Sequence, residues 1–157
     1  MARWLPLVTV VLASCGHSPT RQECKSLAEP KAVIKRCFGG NLARNTYIGD
    51  LRCWPFSASH QMRGVWLIGL ETSVFYPGAS RAEQLRGNSE IWLQTDLFER
   101  RPDLVAAAQG AGAVAYVVDF DGRSSLCDGT FGHFGVSRRQ VIVDKFHSMT
   151  PLALPKG

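Results

Sequence analysis

Reactive chemistry in this 157-residue chain would rest on five cysteines, four histidines and a few carboxylates. The histidines, His17, His60, His133 and His147, share no H-x-H or H-x-x-x-H spacing, and no two cysteines form a C-x-x-C pair. Zinc and thioredoxin-like redox sites use such spacings because they bring ligands onto one helical face or one tight turn. The sequence therefore points to no metal and no cofactor. His133 has the most suggestive setting, inside Gly129–Gly135 (GTFGHFG). Its glycines would let a ligand approach the backbone closely, which makes His133 a ligand-contacting or acid/base residue in one reading. In the plainer and preferred reading, His133 is half-buried and bonds a backbone group, while Phe131 and Phe134 plug the end of a barrel. No carboxylate or nucleophile stands at a fixed spacing to it. Glu71, Asp119 and Asp121 offer possible paired carboxylates, but Asp121-Gly122 reads better as a turn and Glu71 as a surface residue.

Cys15 is set apart by what precedes it. Arg3 gives a positive start, Trp4 to Ala13 (WLPLVTVVLA) is apolar, and Ser14 is small, which is the layout of a signal peptide over residues 1–14. The apolar stretch is half the length a bilayer-spanning helix needs and contains Pro6. Leu12-Ala13-Ser14-Cys15 resembles the bacterial lipobox. That resemblance implies a diacylglycerol on the Cys15 sulfur, cleavage just before it and a fatty-acylated new amine. Gly16 in second place then implies an outer-membrane lipoprotein facing the periplasm, with residues 15–20 as a tether. An ordinary secretory leader would instead leave Cys15 as a fifth, odd cysteine.

Setting Cys15 aside leaves Cys24, Cys37, Cys53 and Cys127, an even set suited to an oxidising compartment. Four cysteines allow three pairings. The favoured one joins Cys24 to Cys37, which flank a short helical segment, and leaves Cys53 with Cys127. A thiol–imidazole pair of Cys127 with His133 competes with this disulfide use, which an exported protein favours.

A 45% hydrophobic and 20% charged composition describes a globular chain and excludes disorder over most of its length. The net charge of +5 is spread thinly, with Arg100-Arg101 and Arg138-Arg139 the densest clusters. Nucleic-acid binding needs basic charge gathered on one face, and export argues against such a partner as well.

The pattern along the chain predicts a single globular domain over 21–150 and a loose tail over 151–157. Short helical turns are expected from Arg21 to Cys37, broken near Pro30 and ended by Gly39-Gly40, after a capping box at Thr20 and Glu23. In Arg63 to Tyr76 (RGVWLIGLETSVFY), Trp66, Ile68, Leu70, Val74 and Tyr76 repeat with period two, predicting one long strand with a possible bulge at Gly69. A second strand follows from Glu90 to about Leu97. Pro102 opens a helix that Gly110 closes. A third strand, Ala113 to Phe120, turns Val114, Tyr116, Val118 and Phe120 inward, and the last strand covers Gln140 to His147.

This β-rich α+β order has a short N-terminal helix and one inserted helix, and it resembles a small five-stranded OB-fold-like barrel. The GTFGHFG segment followed by RRQVIVDKF carries the resemblance over residues 63–147, and Arg123 to Asp128 (RSSLCD) departs from it. Such barrels bind oligonucleotides or oligosaccharides on one face, which makes Trp66, Trp92, Tyr116 and His133 possible ligand contacts. The function expected is a non-enzymatic binding or structural module held at the membrane, with an envelope protein, glycan or lipid as partner. The alternative is a small envelope hydrolase using His133 with a carboxylate.

Overall fold

The structure, a computed structural model, describes residues 24–25, 31–38, 47, 53–85 and 91–155. The leader, Cys15, the tether, the Thr20–Glu23 capping box and the Gly39-Gly40 stop lie outside the described residues. Helix α1 spans Lys31–Phe38, one residue past the Arg21–Cys37 stretch expected to be helical.

The expected long strand is a hairpin. β1 (His60–Gly69) and β2 (Thr72–Pro77) pair antiparallel around a two-residue turn, Leu70-Glu71, with Glu71 at φ 61°. The turn changes which parity faces inward, because Trp66 lies opposite Phe75 and Ile68 opposite Ser73. Phe75 thus joins Trp66 and Ile68 in the core, while Val74 and Tyr76 pack with Val65 on the other face. Leu70, placed on the apolar face by its period, is 70% exposed.

β3 (Ile91–Gln94) is shorter than expected, because Leu97 begins a helix instead. Two short helices follow in succession, α2 (Leu97–Arg100) and α3 (Pro102–Ala111). The Thr95 hydroxyl accepts from the Leu97 amide at 3.1 Å, and Pro102, with no amide to leave unpaired, opens α3. α3 passes through Gly110 and stops at Gly112.

β4 (Ala113–Ser124) carries the expected inward set and continues four residues further. Asp121-Gly122 is therefore not a turn. It sits at a register shift against β5 (Gln140–Leu152), where a Cβ on Gly122 would lie 2.7 Å from the Ile142 carbonyl oxygen. The dipeptide that marks a turn in sequence marks a bulge here, because glycine also permits close backbone approach. β5 runs five residues past His147, pairing Pro151 with Tyr116 and Leu152 with Ala115. Leu154 packs against the outer apolar cluster, so the described part of the expected loose tail is held on the sheet.

The five strands form a mixed sheet in the order β1-β2-β3-β5-β4, with β4 pairing back to β1 so that the sheet closes into a ring. Only the β3–β5 pairing is parallel. Inside the ring, Trp66, Phe75, Leu93, Val118, Phe120 and Val141 are buried with Leu104 and Ala108 of α3. The Trp66 indole donates to the Ser73 hydroxyl at 3.0 Å, and that hydroxyl donates to the Leu93 carbonyl oxygen.

The disulfides are Cys24–Cys127 and Cys37–Cys53, which overturns the favoured pairing. A helix between two cysteines holds them apart. The eight residues of α1 alone span about 12 Å, whereas bonded cysteines keep their Cα atoms about 4.4–6.8 Å apart. Cys24–Cys127 instead binds the N-terminal segment to the loop after β4, and Cys37–Cys53 binds α1 to the segment ahead of β1; all four cysteines lie in or against a separate aromatic cluster of Phe38, Tyr47, Trp54 and Phe131.

Candidate functional site

Beyond β4 the chain first ties itself to the start of β5 and to the segment ahead of β1. The Ser125 amide donates to the Gln140 carbonyl, the Leu126 amide to Pro55, and the Trp54 indole to the Cys127 carbonyl. A small hairpin then rises. Gly129 N–H donates to the Arg138 carbonyl at 2.9 Å, and Phe131 and Ser137 exchange both backbone bonds. Its anchor is Phe131, fully buried, with ring centroids 5.8 Å from Phe38 and 5.6 Å from Tyr47. The turn at the tip is closed by Gly135 N–H donating to the Gly132 carbonyl.

Gly132 lies flat on an aromatic ring: a Cβ there would be 2.3 Å from Cε3 and 2.5 Å from Cδ2 of Trp92. Its φ of 78° and ψ of 179° belong to a region only glycine adopts freely. The two residues at the tip, His133 and Phe134, are exposed, with their rings stacked 4.1 Å apart and nearly parallel. Of the plainer expectation, burial is met by Phe131, though in the aromatic cluster apart from the ring core, and it fails for His133 and Phe134, which point outward. Anchoring by Phe131 inside the aromatic cluster is the reason, since it leaves the next turn beyond the packed surface.

Between this tip and the β1–β2 turn is a cavity of about 250 Å³. Ile68, Gly69, Glu71, Thr72 and Ser73 form one wall, Trp92 and His133 another, and Phe98 of α2 with Val105 of α3 a third. Ligand sites that enclose a whole drug-sized molecule occupy about 300–1,000 Å³, so this one suits a single apolar group. Glu71, Thr72, Ser73 and His133 are the polar residues of its lining, beside the amphipathic Trp92, and the Ser73 hydroxyl is already engaged by Trp66 and Leu93.

Of the four ligand contacts named from sequence, Trp92 and His133 meet at this cavity. Trp66 does not, because it is completely buried in the ring. Tyr116, opposite Trp66 on β4, packs against the same core and does not line the cavity either. Sequence reasoning missed Phe98 and Val105. The Leu97-Phe98 pair, straddling the end of the predicted strand, is the signal that could have exposed Phe98, and it reads equally well as strand end.

The other reactive groups are dispersed. No carboxylate among the described residues bonds His133. His60 faces the Ala58 carbonyl oxygen, and His147 meets Asp121 at 2.9 Å. Cys127 is disulfide-bonded and supplies no thiol. Asp119 accepts from Gln61 at 2.7 Å and from Arg63 at 2.6 Å on the outer face of the sheet. These hydrogen bonds, Gln61's first, with the positive charge of Arg63, hold its carboxyl below the ordinary aspartate range. Asp119 and Arg63 line a second, more polar cavity of about 490 Å³ with Ser80, Ser148 and Thr150. Among the described residues no three potential metal ligands cluster, and no helix is long and apolar enough to cross a membrane.

No family model, curated protein or solved structure matches this chain. Its functional reading therefore rests on the ring, the hairpin and the cavity between them.

Proposed function

We propose that the chain is a non-enzymatic binding module of the bacterial envelope, held at a membrane through lipidated Cys15, in which a small OB-like barrel recognises an apolar group. Three features support the barrel type. The strand order is β1-β2-β3-β5-β4, β3 and β5 are parallel, and the helices fall between β3 and β4. Barrels of this kind take ligands at β2–β3 and the flanking β1–β2 and β4–β5 loops. The cavity here is bounded by those two loops and by Trp92 of β3.

The observation that carries the reading is where the exposed apolar side chains sit. Leu70, Val105, Phe134 and Val136 are the large hydrophobics exposed among the described residues. Val105 lines the cavity, Leu70 adjoins Glu71 in its wall, and Phe134 and Val136 follow His133 in the hairpin. An apolar rim around an apolar recess marks a binding surface more than a reaction centre. The recess also suits an apolar partner group better than a hydroxyl-rich glycan. The leader and the L-A-S-C sequence support the anchor, and Gly16 supports the outer membrane facing the periplasm.

Two measurements test this. Intact mass of the membrane-extracted protein should show acylation that Cys15→Ser abolishes; an unmodified chain cleaved elsewhere refutes the anchor. For the site, the probe is 8-anilinonaphthalene sulfonate. Its fluorescence on the native protein should fall severalfold in Val105→Trp, which fills the recess; unchanged dye binding in a folded variant refutes the cavity as the recognition site.

A further inference from the structure

We propose that the tip of the β4–β5 hairpin rests in the headgroup layer of an anionic lipid bilayer, the same bilayer that holds Cys15. The inference builds on the lipid-anchor reading and goes further by naming what covers Phe134 and Val136, the hairpin side of the apolar rim. The first support is geometry along the chain. Eight residues separate Cys15 from Cys24, nine steps of chain and a reach of at most ~32 Å at about 3.6 Å per step. Cys24 is bonded to Cys127, just before the hairpin, and Phe134 lies seven residues beyond it, at most ~25 Å. The disulfide thus places the hairpin, rather than the far end of the ring, next to the segment leading to the lipid.

The second support is the chemistry of the tip. Phe134 and Val136 are 66% and 70% exposed on a turn whose base is fixed by Phe131 and by paired backbone bonds. A rigid turn presenting an aromatic and an aliphatic side chain loses little freedom on entering an interface. Immediately after it, Arg138 and Arg139 both face the single carboxylate of Asp128, at 3.4 and 3.5 Å, which leaves one positive charge uncompensated beside the tip. Lys25, next to the bonded Cys24, is exposed as well. Apolar tips flanked by basic residues bind bilayers through burial and through attraction to anionic headgroups together. A second copy of the chain is a poorer occupant, because a two-fold contact through this tip would bring the same arginines face to face.

The test uses the full acylated protein carrying Phe134→Trp, reconstituted on vesicles of phosphatidylethanolamine and phosphatidylglycerol, with and without brominated acyl chains. Glu83→Trp, on the 3₁₀ turn Ala82–Gln84 beyond the far end of β2 from Glu71, is the control, and Val136→Trp is a second reporter. After subtraction of the native tryptophans, the emission at 134 should shift to the blue and be quenched at least about twofold by brominated lipid, with position 83 unaffected. Equal emission at both positions on acylated protein overturns the proposal while leaving the anchor intact. A blue shift without bromolipid quenching, growing with protein density, assigns the tip to a second copy and also overturns it. Protein that intact mass shows to be unacylated overturns the anchor and the tip together.

Discussion

Gly132→Ala is the sharpest perturbation of the candidate site, and its cost can be worked from two geometric facts. The backbone at φ 78° and ψ 179° is a region whose occupation by a residue with a Cβ costs about 1–3 kcal/mol. The new methyl would also meet Trp92 at 2.3 Å, on the face of a packed ring system rather than at the end of a flexible chain. Relieving such overpacking costs about another 1–3 kcal/mol. Gly78→Ala is the natural comparison, since Gly78 also has a positive φ, 72°, but a Cβ there meets nothing within 4 Å. It should lose only the backbone part, about 1–2 kcal/mol. Urea unfolding followed by far-UV circular dichroism gives both values, and an unchanged m-value keeps the comparison two-state. Gly132→Ala should be the more destabilising by about 1–3 kcal/mol. Equal losses would mean that the hairpin does not sit on Trp92, and the wall of the cavity would have to be redrawn.

Replacing both cysteines of Cys24–Cys127 by serine should cost about 5 kcal/mol and replacing both of Cys37–Cys53 about 3 kcal/mol in the chain-entropy account, because the bonds span 103 and 16 residues. Chemical denaturation ranks them, and a larger loss for the shorter loop would count against these pairings. Ser73→Ala should destabilise by about 1–3 kcal/mol, since it leaves the buried Trp66 indole N–H without an acceptor; a loss under about 0.5 kcal/mol in urea would contradict that role. Asp119 supplies a pH dependence. Its carboxyl titrates lower in the folded chain than in the unfolded one, so its stabilisation is fully present above the unfolded value of about 3.9 and is lost as pH falls through the folded value. The melting-temperature gap between the native protein and Asp119→Asn should therefore narrow as pH drops from 6 toward 2, and a constant gap would remove Asp119 from the acid response.

Much of the ring was legible in the sequence wherever one strand alternates cleanly. Val114, Tyr116, Val118 and Phe120 all turn toward the core because period two is enforced by a single buried face. The same rule misled at Leu70-Glu71. A two-residue turn without the Asn-Gly or Asp-Gly signature let the alternation run on through it, and Val74 and Tyr76 were assigned to the face that Phe75 occupies. Asp121-Gly122 erred in the opposite direction, a turn signature spent on a bulge. The disulfides were misjudged because closeness in sequence was weighed above the length of the helix between Cys24 and Cys37. At the site, Trp92 and His133 could be named from residue type and neighbouring glycines. Periodicity alone could not separate Trp92, at the edge of a recess, from Trp66, sealed inside the ring. Val105 was invisible for a different reason: it stands between Leu104, which is buried, and a run of three alanines, so nothing in the pattern distinguishes a helix face turned to the core from one turned to a recess.

The Cys24–Cys127 bond also makes the fold a mechanical circuit. When the chain is pulled from its two ends, tension entering ahead of Cys24 crosses the sulfur bridge to Cys127 and continues toward β5, so residues 25–126 are spliced out of the load path. β1 to β4, which hold most of the inner core, carry none of the force along their own backbone. Strain falls first on the hairpin and on the ladder joining β5 to β3 and β4. A stretching experiment would register a short extension, bounded by the residues outside the bridge, where the unbridged chain would release nearly its whole length. The bond then works less as a staple of the N-terminal segment than as a shunt that shields the ring from tension.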